Sequence, residues 1–278
     1  MIMNGYNKNI KALITSGCSL SETISYYKEK KLATWPIYLN KYIKPEKFLS
    51  LGLGSIGNEL IAKKAIHGCE QLLKNYKPEE ILCAISWSGI FRHNRIVEKK
   101  SFLSEKFRGI KKKVITEEPD NMTWKYQFSN YENLVIDEEA FSIIYFNQWK
   151  DIKELDYYYG IFENQINCLE NTMTQIHYIE SYCVSKGINY IWTTIDNEYF
   201  CKDMTAIKTR KYMDHWSLKH LFDRLQHSPN RLKYSISNWV SINSPENMRK
   251  DYIHPDSEGH KKYFDEIMLP HLEKNGIY

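Results

Sequence analysis

Short apolar runs alternate along the chain with longer segments of helical spacing. Lys11-Ala-Leu-Ile-Thr-Ser16 is the first run and is closed by Gly17; Phe48-Leu-Ser-Leu-Gly-Leu-Gly is the second. Ile81-Leu-Cys-Ala-Ile-Ser-Trp and Tyr190-Ile-Trp-Thr-Thr-Ile are the third and fourth. Runs of this length, bounded by glycine turns, read as buried strands. After the second run, Leu60, Ile61, Ala65, Ile66, Cys69, Leu72 and Leu73 recur three and four residues apart, which predicts an amphipathic helix. Ile161, Ile166, Leu169, Met173, Ile176 and Ile179 share one face of a second helix over roughly 157–186, and Gly187 ends it. From Ser257 onward, Tyr263, Phe264, Ile267, Met268 and Leu272 mark a third. Strands alternating with helices predict an α/β fold with a mainly parallel sheet.

Two intervals break this rhythm. Residues 92–152 are dense in charge and aromatics (Trp124, Tyr126, Phe128, Tyr131, Phe141, Tyr145, Phe146, Trp149), and 197–250 carry His215, Trp216, His220, His227 and Trp239. Structureless loops of such length are rare in compact domains. Each interval is therefore expected to be a folded insertion or lid, bordering the crevice at the carboxyl ends of the strands.

Composition narrows the class. No stretch reaches the roughly 20 apolar residues of a membrane helix, and Met1-Ile-Met-Asn-Gly-Tyr-Asn-Lys lacks the pattern of a signal peptide. A soluble, cytoplasmic protein is expected, with no membrane partner. The formal net charge of +4 raises nucleic acid as a partner, but only seven of the 38 basic residues are Arg. Arg carries the fork that reads phosphates and guanine edges, so a solvated Lys-rich surface is expected and no nucleic acid. Cys18, Cys69, Cys83, Cys168, Cys183 and Cys201 form no C-x-x-C pair and no zinc-finger spacing. They read as buried free thiols.

Candidate chemistry lies near the two ends of the chain. Gly17-Cys18-Ser19-Leu20 follows the first predicted strand, and Asp251-Tyr-Ile-His254-Pro precedes the last predicted helix. A serine hydroxyl needs a base to take its proton, and histidine is the usual one. The base in turn needs a carboxylate on its other nitrogen. An Asp three residues ahead of a His can supply it within one turn. Taken alone, Asp-x-x-His equally serves as a helix-capping and packing element.

The combination of Gly-x-Ser-Leu after strand one, a glycine-rich turn after strand two and Asp-x-x-His-Pro before the last helix resembles the SGNH (GDSL-like) hydrolase family. The match is nearest to a branch with Gly17-Cys18-Ser19, Thr34-Trp35-Pro36-Ile37-Tyr38-Leu39, Gly52-Leu-Gly54-Ser55-Ile56-Gly57-Asn58, and Trp87-Ser88 with Arg92. The resemblance implies a three-layer α/β/α, flavodoxin-like single domain over 1–278, with the insertions as lids. It also implies a serine hydrolase cleaving carboxylic esters, with Ser19 as nucleophile, His254 as general base and Asp251 as its partner. The backbone N–H groups of Ser19 and Gly54 would line an oxyanion hole, and Trp87 and Arg92 would touch substrate. A small-molecule or glycan ester, such as an O-acetylated carbohydrate, is the expected substrate, with no metal and no organic cofactor. Oligomeric state is left open.

Two departures bear on this. Cys18 stands where the family has Asp; the resemblance sets Ser19 in the attacking position and Cys18 toward the core. The family's block-three Gly-x-Asn-Asp is absent, replaced by Ser86-Trp87-Ser88-Gly89. Asn58 is either the substitute oxyanion donor or a helix cap, and Ser88 is the positional substitute. Acyl transfer on the same triad, and a catalytically silent glycan- or protein-binding module, stand as rivals. Gly52-x-Gly54-x-x-Gly57 imitates a dinucleotide fingerprint, but the acid required near the end of the next strand is missing. His215, His220 and His227 lack metal-ligand spacing, His67 reads as a surface residue and His260 as helix packing.

Overall fold

The structure, a computed structural model, describes residues 9–27, 30–54, 56–90, 92–98, 141–147, 165–195, 215–250 and 254–277. Strands β1 (Ala12–Gly17), β4 (Lys47–Ser50), β5 (Ile81–Trp87) and β8 (Asn189–Thr194) form one parallel sheet in the order β4-β1-β5-β8. All six residues of β1 and all seven of β5 are buried, as expected where helices cover both faces of a parallel sheet.

Alternate side chains feed two core layers. Ala12, Ile14, Cys83, Ile85, Trp87 and Tyr190 pack with α2 (Asn58–Leu72) and α3 (Gln165–Lys186). Leu13, Leu82, Ala84 and Ile191 face the other way. They meet α1 (Trp35–Ile43), α5 (Ile236–Asn243) and the C-terminal helix. That helix comprises α6 (Ser257–Tyr263), a wider π turn over Phe264–Met268, and α7 (Leu269–Lys274). The arrangement is an α/β fold compatible with three layers. Its strand order places the topological switch between β1 and β5, the position at which open α/β sheets bind ligands.

Helix ends follow local chemistry. Gly187 closes α3 at φ +79°, with Ile188 N–H donating to Cys183 O at 2.9 Å, a Schellman ending that needs a residue tolerant of the left-handed region. The Asp256 side chain accepts from Gly259 N–H at 2.9 Å and caps α6.

The described part of the expected second insertion, from 215 onward, belongs to the framework instead. Leu218, with Leu221 and Leu225 of α4 (Lys219–Gln226), enters the layer of α2 and α3. Leu232, Ile236, Trp239 and Val240 enter the opposite one. The chain also runs along the edge of β8: Trp192 N–H donates to Asn230 O at 2.9 Å, and Leu232 N–H to Trp192 O at 2.8 Å. Apolar side chains at these positions bury themselves beside the sheet, so a lid reading does not apply to them. In the first interval, β6 (Arg92–Glu98) pairs antiparallel with β7 (Phe141–Asn147) as a ribbon apart from the main sheet. Trp124, Tyr126, Phe128, Tyr131 and Trp149 lie outside the described residues. A second small ribbon joins β2 (Ile24–Tyr27) to β3 (Lys30–Ala33). No described helix is long and apolar enough to cross a membrane.

Candidate functional site

The first strand ends in a turn that only glycine can make. Gly17 has φ +150°, and a Cβ there would come within 2.4 Å of Ser86 O. Past this glycine, Cys18 is fully buried against Leu20, Trp35 and Leu39, while Ser19 stays partly exposed at the start of the short turn Ser19–Ser21. The loop after β4 approaches from the side. A Cβ on Gly52 would lie 2.0 Å from Ser21 O, so this close backbone approach also requires glycine.

His254 reaches the same place from the far end of the chain. Its carbonyl accepts from Arg249 N–H at 2.8 Å, and a bridge pairs Met248 with Pro255. Ser257, opening α6, ties this segment to the N-terminal half. Its Oγ accepts from Ala33 N–H at 2.9 Å, and its carbonyl from Tyr38 Oη at 3.0 Å. The result is a Ser19 Oγ to His254 Nε2 hydrogen bond of 2.8 Å between residues 235 apart in sequence. A hydroxyl and an imidazole at this distance can exchange a proton as nucleophile and general base do. Asp251 lies outside the described residues.

The expected oxyanion and substrate residues are arranged differently from the expectation. Asn58 is buried, and its amide is spent inside the fold. Its Nδ2 donates to Ser88 O at 3.1 Å and to Thr172 Oγ1 at 3.0 Å, while its Oδ1 accepts from Ser88 N–H at 2.8 Å. A primary amide has two N–H donors, so none remains for an oxyanion; Asn58 instead braces α2 to the end of β5 and to α3. Ser88 is fully buried, and its Oγ accepts from Arg92 Nη1 at 3.2 Å. Trp87 is wholly buried in the core. A substrate cannot touch it without opening that layer.

Gly54 lies beside Ser19, as the resemblance implies: a Cβ there would stand 4.0 Å from Ser19 Cβ. Its N–H, however, donates to Glu22 Oε1 at 2.5 Å. Behind this carboxylate sits Lys64, almost fully buried on α2, where burial pulls its pKa down to about 8 against the opposing pull of Glu22. Neither residue figures in the sequence reading. The available signal was Lys64 itself, a charge set among Ile61, Ala65 and Gly68 on the buried stripe of α2. His260, fully buried one helical turn beyond Asp256, is held to a pKa of about 3 by desolvation, then by the nearby positive groups of His254 and Arg249. It is a neutral wall behind His254.

No protein-family profile matches this chain, and no curated protein matches it.

Proposed function

We propose that the chain is a serine hydrolase of the SGNH (GDSL-like) type, cleaving carboxylic esters through an acyl-enzyme on Ser19. The single observation that carries this reading is the 2.8 Å hydrogen bond between Ser19 and His254, set where the loops after β1 and β4 converge. In the proposed reaction, His254 Nε2 takes the serine proton as Oγ attacks the carbonyl carbon. It then returns that proton to the departing alkoxide. In the second half, His254 takes a proton from water, hydroxide attacks the acyl carbon, and Ser19 leaves with the proton. Asp251 is the proposed partner that fixes the imidazole tautomer.

The oxyanion would be met by Ser19 N–H, which no described residue engages. Gly54 N–H would join it once an ester oxygen replaces the Glu22 carboxylate. A second reading rests on that same contact. An acid seated on the Gly54 donor, with Asn58 committed elsewhere, suits a binding module of the same fold that performs no chemistry. Removal of O-acetyl groups from a carbohydrate is the substrate we favour, with acyl transfer to a sugar hydroxyl as its variant.

A fluorophosphonate probe separates these readings, because it labels an activated nucleophile and leaves an ordinary serine untouched. Labelling is expected in the intact chain and in Cys18→Ala, and its complete loss in Ser19→Ala. His254→Ala should slow it by roughly 10²–10⁴-fold, the usual share of a general base. Absence of labelling in the correctly folded wild type would favour the binding module, and labelling lost only in Cys18→Ala would move the nucleophile to the thiol.

A further inference from the structure

Away from Ser19, the layer between the sheet and its helices holds a triangle of thiols. Cys69 comes from the last turn of α2, Cys83 from the middle of β5 and Cys183 from the last turn of α3. All three are buried and free. Their sulfurs lie within 4.8 Å of one another. A metal held by three thiolates at about 2.3 Å keeps the sulfurs about 4.0 Å apart in a trigonal plane, so the triangle needs only a slight contraction. A lone buried cysteine behaves as a small apolar residue. Three that converge from separate elements, with no disulfide, form a donor set.

A second observation points to the same spot. Tyr190 on β8 is the direct cross-strand partner of Cys83. Its side chain is buried, and its Oη has no hydrogen bond of ordinary geometry. Tyr190 shares the core layer of Cys69, Cys83 and Cys183, so its hydroxyl lies on the same side of the sheet as the triangle. Buried polar groups in folded proteins are nearly always hydrogen-bonded, so one left without a partner calls for an explanation. The nearby acids are engaged elsewhere: Glu180 accepts from Ser228 Oγ and from Asn230 Nδ2, and Glu70 accepts from Tyr182 Oη at 2.6 Å. Among the described residues, the ligand atoms left for an ion are therefore the soft sulfurs, with the Tyr190 phenol in the same layer.

We propose that Cys69, Cys83 and Cys183 form a trigonal thiolate site for a soft monovalent cation of the Cu(I) class. Soft thiolate ligands select Cu(I) over hard cations, and three-coordination in an apolar setting suits it better than Zn(II), which takes four ligands in structural sites. Each cysteine that binds gives its proton to solvent; no electron is transferred. The ion would fasten α2 and α3 to β5, and because it binds only the folded chain it would raise stability by mass action. The site is independent of the ester chemistry proposed for Ser19.

The test is an anaerobic titration of the reduced full-length chain with Cu(I) supplied as its acetonitrile complex, in competition with a chromogenic Cu(I) chelator. One equivalent is expected to bind, with thiolate-to-metal charge-transfer absorption and a raised melting temperature. Cys83→Ser and Cys183→Ser should each weaken binding roughly 100-fold or more, at or beyond the 10–100-fold typical of outer-shell changes, while Cys18→Ser leaves it intact. X-ray absorption of the wild-type adduct should show three sulfur neighbours, a readout that needs no variant to fold. Failure to compete with the chelator, fewer than three sulfurs, or loss of binding in Cys18→Ser would overturn the site.

Discussion

His260 shows how a residue outside the reacting pair sets the conditions under which the pair exists. Burial holds its folded pKa at about 3, whereas an exposed histidine titrates near 6.5. Between these values the unfolded chain binds a proton that the folded chain refuses. Its contribution to stability is therefore full above pH 6.5 and is lost as the pH falls toward 3. The slope is at most about 1.4 kcal/mol per pH unit for one such group. His271, lowered to about 4 chiefly by burial, adds a second contribution of the same sign. Urea midpoints of the wild type are expected to drop from pH 7 to pH 5. In His260→Leu that drop should be smaller, with His271 and His177, both lowered chiefly by burial, contributing to the remainder. An equal drop in both proteins would mean that His260 is protonated without penalty.

At the scale of elements, α6 depends on its cap. The Asp256 carboxylate bonds Gly259 N–H, and removing an Asp N-cap typically costs about 1 kcal/mol. Asp256→Ala is expected to destabilise the chain by that amount in chemical denaturation. Because α6 begins three residues after His254 and two after the Met248–Pro255 bridge, labelling of Ser19 should slow as well. A midpoint shift without any change in labelling would separate the cap from the site. Much of this element-level architecture was legible in the chain. The buried strands β1, β5 and β8 and helix α2 are legible as apolar runs and three-to-four spacing, because parallel strands buried on both faces leave no polar alternation to confuse. β4, at the sheet edge and only half-buried, is the shortest of the four. α1 did not, since Trp35-Pro36 at its start reads as a turn, and a helix of nine residues offers few periods to count. In the described part of 197–250, the histidines and tryptophans draw the eye, while the core positions Leu218, Leu221 and Leu225 span too few turns to stand out and Trp216 stays exposed. Within the candidate site, the family resemblance pairs Ser19 with His254, and the two lie 2.8 Å apart. The commitments of Asn58, Gly54 and Trp87 depend on partners up to 114 residues away, such as Thr172, and no local pattern encodes those.

For the whole molecule, the Ser19–His254 contact is an energetic dependent of the fold. Closing a loop of 235 residues costs on the order of 5 kcal/mol in chain entropy, whereas one hydrogen bond returns a net of about 0.5–1.5 kcal/mol. The closure is held by other means. Tyr263, Phe264, Met268 and Leu272 of the C-terminal helix are buried in the layer that also contains Leu13 and Trp35, and fully burying a large apolar side chain contributes about 1.5–3 kcal/mol. Fluorophosphonate labelling and tryptophan fluorescence should consequently disappear together as urea is raised. Labelling that outlasts the fluorescence change would show that the two residues meet without the sheet between them.

The same closure makes position 19 an honest witness. Until α6 has docked against α1 and β3, the hydroxyl of Ser19 has no base and is as inert as any serine on a solvated loop. In the proposed hydrolase, its reactivity would report that the first strand and the C-terminal helix have found each other, and a partly folded chain, however compact, would stay silent toward esters.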